Sequence, residues 1–410
     1  MHGKHTSLQQ QNLLEEGFEI LQNLESLGFS SFLAGGAVRD LLLHRPLHDL
    51  DIVTTAPQEL LKKIYPWGRL LGKPSSPVYL LPLPSGTIVE CSFLASSLEE
   101  DLARRDFTVN SLAMNGGGEI FGSPQAFEDL RRRVLRWNGS AEDRLRQDPL
   151  RALRLCRLGT SLKHFHLPPK ELKACTPFAQ ACADLPGERV GEEIYRGLKE
   201  QNPSFPDLLQ EAGLLAPLWG APLPLLQREQ FALFSRSCER GNSFSCSAGA
   251  FFLDLFRASG EEEPREMREK SYSLLRTWCW PDKKALWLAE LLHLYGSSRG
   301  GLSPSEALDL LERFSFSWLE NFLELLSLEP QKAVHGEELQ RYCLLWKARF
   351  LRASRKGLFF SGEECMKIVG CPPGPAVGSL LKALKRKILE TPEISREELH
   401  RYLLEEEKNF

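Results

Sequence analysis

Residues 32–55 read FLAGGAVRDLLLHRPLHDLDIVTT. A short apolar run ends in two glycines, AVRDLLLH (37–44) has helical spacing, and LDIVT (50–54) is apolar and β-branched, as a strand is. Positions two apart in an extended chain face one side, so Asp49 and Asp51 are expected to point together and Leu50 and Ile52 away from them. Two neighbouring carboxylates are costly unless a cation lies between them. A divalent metal is the natural candidate, and Mg²⁺ commonly takes one or two carboxylates plus substrate phosphates. On its own such a pair is most often the wet face of an edge strand. The preceding segment changes that reading. A strand ending in Gly35-Gly36 before a helix lets backbone N–H groups approach a phosphate, and Arg39 lies one turn further on. Phosphate cradle and metal-binding carboxylates so close in sequence describe a nucleoside triphosphate site.

Working outward, the first ~135 residues mix strand and helix signals. A helix is expected over 9–27, another over 57–65 with Pro57 in its first turn, and a hairpin joining VYLLPLP (78–84) to TIVECSFL (87–94). SLEEDLARRDFTVNSLAM (97–114) begins as a helix. After Trp137 strand signals stop, and helices are expected over 149–160, 169–183, 187–200, 205–214, 226–236, 246–258, 263–277, 283–295, 304–326, 336–355 and 377–389. The fold class is therefore α+β. A head with a small mixed sheet (1–136) leads into an elongated all-α neck (137–204), body (205–330) and tail (331–410), since so long a helical half exceeds one core.

Composition sets bounds on function. The 410 residues are 42% hydrophobic and 26% charged with net charge −3, so the chain as a whole does not advertise a polyanionic partner. Ten cysteines are scattered without a CxxC pair, which points to reduced thiols and a cytoplasmic location. No signal-like start and no membrane span are read. His164 with His166, and His44 with His48, have zinc-compatible spacings, but nothing completes a set, and they read as surface or packing residues.

LAGGAVRDLLLHRPLHDLDIVTT resembles the first motif of the class II tRNA nucleotidyltransferases and bacterial poly(A) polymerases. DLARRDFTVNSLAM (101–114) is similar to that family's second motif, and RVLRWNGSAEDRLRQDPLRALRLCRL (133–158) to its neck segment. PGERVGEEIYRGL (186–198) resembles the helix that follows, and FSGEECMKIVGCPPGPAVGSLLKAL (360–384) the tail of tRNA-specific members. Residues about 220–350 resemble the family least.

The resemblance implies an enzyme joining cytidines from CTP, or adenosine from ATP, to a tRNA 3′ end without a template. Asp49 and Asp51 would hold two Mg²⁺ ions, with Glu90 a candidate third carboxylate. Gly35, Gly36 and Arg39 would hold the triphosphate, with Asp40 bracing the loop, and Arg105, Asp106 and Asn110 would contact sugar and phosphates. Asp148, followed by Pro149, has the look of a helix cap. Arg151, Arg154 and Arg157 recur every third residue and form a basic stripe. In the family the residues matching Asp148 and Arg151 read the base edge, a carboxylate accepting from an amine and a guanidinium donating to the ring. Cytosine and adenine present that pattern, and uracil and guanine do not.

Three departures stand out. Gln147 occupies a position where the family usually has Glu. Only residues 91–98 separate Glu90 from Glu99, where the family has a longer flexible loop, and members with a shortened loop resemble enzymes that add CC and stop. IFGSPQAFEDL (120–130) replaces a usual Asp-Pro. The expectation is therefore CC addition. The alternatives are full CCA or A addition, poly(A) synthesis, or an inactive RNA-binding scaffold. Basic clusters at 131–133, 144–157, 347–356 and 382–387 are expected to contact the acceptor and T arms of tRNA through phosphates and shape, with neither DNA nor membrane as partner.

Overall fold

The computed structural model describes residues 2–47, 49–73, 76–224, 226, 228–297, 316–391 and 393–406. A seven-stranded sheet forms the head: β1 Ser31–Ala34, β2 Leu50–Thr54, β3 Arg69–Lys73, β4 Ser76–Pro82, β5 Ile88–Phe93, β6 Leu112–Asn115 and β7 Ile120–Gly122. Its order is β3-β4-β5-β2-β1-β6-β7. β2 runs parallel to β5 and the other neighbours are antiparallel, so the sheet is mixed. The expected hairpin is β4–β5, closed by Leu83 N–H donating to the Thr87 carbonyl.

Alternation of side chains divides the sheet's two faces. Leu33, Leu50, Ile52, Val89, Cys91 and Leu112 are buried in one apolar cluster with Leu21 and Leu24 of α1 (His2–Ser26), Val38 of α2 (Gly36–Leu42) and Leu61 of α3 (Gln58–Ile64). Each such side chain stabilises the fold by roughly 1.5–3 kcal/mol. The opposite face carries a smaller cluster, Ala34, Val53 and Ala113, under Leu98 and Leu102 of α4 (Leu98–Ala103). Asp51 lies on this second, thinly covered face, which leaves room for a site beside α4.

A run of helices follows: α5 Pro124–Arg132, α6 Ala141–Gln147, α7 Arg151–Ser161, α8 Pro169–Lys173, α9 Ala179–Ala183, α10 Gly187–Lys199, α11 Ser204–Glu211 and α12 Leu215–Trp219. α7 packs against α10 and α11, and Leu153, Leu155, Val190, Ile194 and Phe205 of these helices are buried. The single helix expected over 169–183 is two helices separated by a 3₁₀ turn, Thr176–Phe178, because Pro177 cannot donate to the preceding turn.

The chain divides into two compact units, one of residues 1–200 with 204–222, the other of 201–203 with 223–410. The second unit is helical throughout its described residues: α13 Ala232–Arg240, α14 Phe244–Ser259, α15 Pro264–Thr277, α16 Asp282–Ser297, α17 Phe316–Ser327, α18 Pro330–Arg355, α19 Gly362–Val369, α20 Pro375–Glu390 and α21 Arg396–Glu406. Of the helix expected over 304–326, residues 304–315 lie outside the described residues. The nine described cysteines are free thiols, and among the described residues no helix is long and apolar enough to cross a membrane.

Candidate active site

The acidic pair differs in setting. Asp49 immediately precedes β2 and is exposed, its Oδ2 lying 3.9 Å from Nη1 of Arg196 on α10. Asp51 pairs in register with Ala34 on one side and with Glu90 on the other. Burial pushes the Asp51 carboxyl up to about 6, and the neighbouring Glu90 and Asp49 carboxylates push the same way against the pull of Arg105 and Arg154. A desolvated acid crowded by two others is a place where a divalent cation relieves repulsion. Among the described residues, no group of three or more His, Cys, Asp or Glu side chains is placed to hold an ion. A cation here would thus fill its shell with nucleotide oxygens and water, as Mg²⁺ does. The donor set fits that ion.

Gly35 turns the chain from β1 into α2 at φ +79°, with its N–H bonded to the Leu112 carbonyl. A Cβ at Gly35 would stand 2.4 Å from Arg105 Nη1, so glycine is needed both for the backbone angle and for the approach of that guanidinium. Arg105 is held by Asp101 one turn earlier, at 3.2 and 3.3 Å.

A chain of polar contacts runs behind this turn. Arg154 Nη2 lies 3.0 Å from Oδ2 of buried Asp106. Asp106 Oδ1 accepts from Asn110 Nδ2 at 3.0 Å, and Asn110 Oδ1 accepts from Arg39 Nη1 at 2.5 Å. Arg39 completes its fork on Asp40 at 2.8 and 3.0 Å. Arg39 is therefore buried, with one N–H on each of its three nitrogens engaged behind the glycine turn. Arg157, the last of the basic stripe, donates through Nε to Glu193 of α10 at 2.6 Å.

Asp148 lies in the break between α6 and α7. The helix begins at Arg151, two residues later than expected, and Asp148 Oδ1 accepts from the Leu150 N–H at 3.3 Å. Its Oδ2 accepts from Arg189 Nη2 at 2.8 Å. Arg151 donates through Nη1 to Gln147 Oε1 at 2.9 Å and to the Arg144 carbonyl at 3.0 Å.

These residues border two cavities. One, of about 320 Å³, is lined by Gly35, Gly36, Asp51, Arg105, Arg151 and Arg154 among others. The second, about 640 Å³, is bordered by Asp49, Asp51, Asn110, Arg154, Tyr195 and Arg196 among others. Asp51 and Arg154 belong to both. Glu90 and Asp148 are absent from both linings, although Glu90 shares the face of Asp51.

Sequence reasoning did not single out Asp101, Asp129, Arg189, Glu193 or Arg196. Asp129, in the IFGSPQAFEDL segment, is buried and accepts from Thr108 Oγ1 at 2.7 Å, which pins the RRDFTVN turn. Its position inside a helix, one residue from an apolar Leu130, gave no hint of burial. The arginines and glutamates of α10 were visible only as helix-surface charges. His164 and His166 are exposed, and His48 lies outside the described residues. Part of the basic material is internally paired: Arg131 with Glu128, Lys347 with Glu320, and Arg352 with Glu393.

The family described as "Poly A polymerase head domain" matches residues 31–69 and 87–136. A CCA-adding enzyme of Geobacillus stearothermophilus is 30% identical over 416 residues, spanning 95% of this chain and 96% of its own. One from Streptococcus pneumoniae serotype 19F is 28% identical over 420 residues, spanning 95% and 97%. The solved Bacillus stearothermophilus CCA-adding enzyme in complex with CTP aligns with a TM-score of 0.66 at 28% identity, covering 96% of this chain and 98% of that one. The Thermotoga maritima CCA-adding enzyme complexed with tRNA_CCA, at 18% identity and a TM-score of 0.59, shares the fold.

Proposed function

This chain belongs to the CCA-adding enzyme family of class II tRNA nucleotidyltransferases, and from that premise we propose that it transfers cytidylate from CTP to the tRNA 3′ end and stops after two additions. The observation that carries the chemistry is the position of Asp51 on the wall shared by both cavities. One cavity has guanidinium and glycine walls suited to a nucleotide. The other, with Asp49 at its edge, leaves space for the acceptor hydroxyl.

On this reading the triphosphate lies against Gly35, Gly36 and Arg105, with Arg154 closing the cavity. The first two bring backbone close, and the arginines neutralise charge. Arg39, Asp40, Asp106 and Asn110 keep those groups in place. Asp148 and Arg151 select the base. Asp49 and Asp51, with Glu90 beside them, would hold the divalent cation the family uses, which we take to be a pair of Mg²⁺ ions. Such ions stabilise the attacking 3′ oxygen and the leaving pyrophosphate when bound.

Stopping at CC rests on the connection between β5 and α4, residues 94–97 alone. So short a link has no slack with which to reshape the pocket from cytosine to adenine. The names of the relatives favour full CCA addition instead. Basic segments of the second unit would carry the T arm, and the free thiols go with a cytoplasmic setting. The direct test is pyrophosphate release on mixing the protein with CTP and a tRNA that ends at its discriminator base. No release with intact, folded protein would reject transfer and leave an RNA-binding scaffold.

A further inference from the structure

The second unit holds a cavity of about 340 Å³ to which nothing above gives a role. It is lined by Phe244 and Ser245 of α14, by Trp280 just before α16, and by Lys283, Lys284 and Trp287 within α16, among others. Phe244 and Ser245 open α14 behind the Ser243 cap, whose hydroxyl oxygen accepts from the Cys246 N–H. Trp280 is fixed on both sides of its Cα. Its N–H donates to the Leu275 carbonyl at 3.0 Å, and its carbonyl accepts from Arg276 Nη1 at 3.2 Å. The Trp280 ring is buried, 6.0 Å from the ring of Phe244 and tilted 34° to it. Trp287 is half-buried, and its carbonyl accepts from Trp318 Nε1 at 3.2 Å while the two indoles meet edge-on. The aromatic walls are therefore formed before any ligand arrives, as small-molecule sites usually are.

Charge is added on the solvent side. Lys283 and Lys284 are exposed, and Lys283 has no ion-pair partner among the described residues. The neighbouring acid, Asp282, is occupied by the Tyr272 hydroxyl at 2.6 Å and by Arg276 at 3.6 Å, so it does not neutralise that ammonium. The Ser245 hydroxyl likewise has no partner among the described residues. Ring faces inside and ammonium groups outside suit a flat π-system that carries an anion beside it. A nucleotide has that form. Any base stacks on an aromatic face, and Lys binds phosphate as a point charge without demanding a set geometry. An aliphatic acid would meet the lysines but gain little from the rings.

We propose that this cavity binds one unpaired nucleotide, its base stacked among Phe244, Trp280 and Trp287 and its phosphate held by Lys283, Lys284 and the Ser245 hydroxyl. A nucleotide in a single-stranded part of tRNA and a free mononucleotide share this chemistry. The proposal rests on the tRNA-handling reading for the first source alone. The experiment labels the full chain with fluorotryptophan and follows the fluorine NMR signals of Trp280 and Trp287, assigned with Trp280→Phe and Trp287→Phe. AMP and CMP are each expected to move both signals to saturation, and inorganic phosphate at the same concentrations to leave them in place. Lys283→Gln combined with Lys284→Gln should weaken AMP about tenfold, the worth of two exposed charge contacts. Both side chains are exposed, so the pair of substitutions leaves the packing of α14 against α16 intact.

Adding a tRNA that ends at its discriminator base, in place of AMP, separates the two sources. Movement of the same two signals, lost in the double lysine variant, assigns the site to a tRNA nucleotide. A saturable shift with AMP and none with tRNA assigns it to a free one. Movement by phosphate alone, or by hexanoate at lower concentration than AMP, would overturn the proposal, since the base would then contribute nothing. So would an AMP response that the double lysine variant leaves unweakened, or silence with AMP, CMP and tRNA alike. Absence of cytidylate transfer alongside intact AMP shifts would count against the function proposed for the head and not against this site.

Discussion

Asp51 stands directly opposite Glu90 across the parallel pairing of β2 with β5. Burial makes Asp51 costly to charge and pushes its carboxyl up to about 6, and repulsion from the in-register Glu90 adds to that cost. The folded state therefore holds that proton more tightly than the unfolded chain. Stability contributed at low pH is lost as pH rises toward 6 and stays lost above it. Asp51→Asn should then raise the unfolding free energy by on the order of 2–3 kcal/mol near pH 8 in chelator, and hardly at all near pH 3.5. Urea melts at the two pH values check this. An equal shift at both would mean that packing, not charge, is responsible.

Magnesium should reverse the order. A cation that binds the folded carboxylates stabilises the wild type by mass action and leaves Asp51→Asn unchanged. Melting temperature against Mg²⁺ concentration provides the readout, independent of activity.

Asp49 is exposed, so Asp49→Ala should cost under about 0.5 kcal/mol of stability. Its effect on chemistry should be severe, at least about a thousandfold in cytidylate incorporation, since it is one of the few ligands that would hold the cation. Retention of more than about a tenth of the activity would remove Asp49 from the site.

Gly35→Ala places a methyl 2.4 Å from Arg105 Nη1 and forces a side-chain residue to φ +79°. The expected result is about 1–2 kcal/mol of lost stability and a CTP KM raised by tenfold or more, from displacement of Arg105. Wild-type CTP kinetics in a folded Gly35→Ala protein would show that the glycine turn does not cradle the triphosphate.

For specificity, tRNA ending at the discriminator base should gain two nucleotides with CTP, and tRNA already ending in CC should gain nothing from ATP. Product lengths on a sequencing gel decide it. A clean third addition with both nucleotides would overturn the argument from residues 94–97.

Much of this was legible in the sequence, and the reasons for the rest are physical. The glycine turn, the acidic pair and the β4–β5 hairpin follow from local patterns that no tertiary contact overrides. β3 escaped notice because RLLGK has glycine in place of a strand former, and its pairing with β4 supplies what propensity does not. Asp148 read as a helix cap because Pro149 follows it, yet its second oxygen is taken by Arg189, forty-one residues away. Arg39 reads as a phosphate ligand from its place one turn into α2, and the sequence does not show that it also bonds Asn110, seventy-one residues distant. Spacing reveals which face a side chain shares. It cannot reveal which distant group arrives there first.

The contacts from Arg154 through Asp106 and Asn110 to Arg39 have a bearing on accuracy. They join the helix carrying Arg151 to the glycine turn proposed to cradle the phosphates, so a shift of one is passed to the other. On the proposed reading, a wrong nucleobase that nudges α7 would drag the reactive phosphorus off its line of attack. Fidelity then becomes a matter of slow reaction rather than weak grip: the wrong substrate can dwell in the pocket and still fail to react.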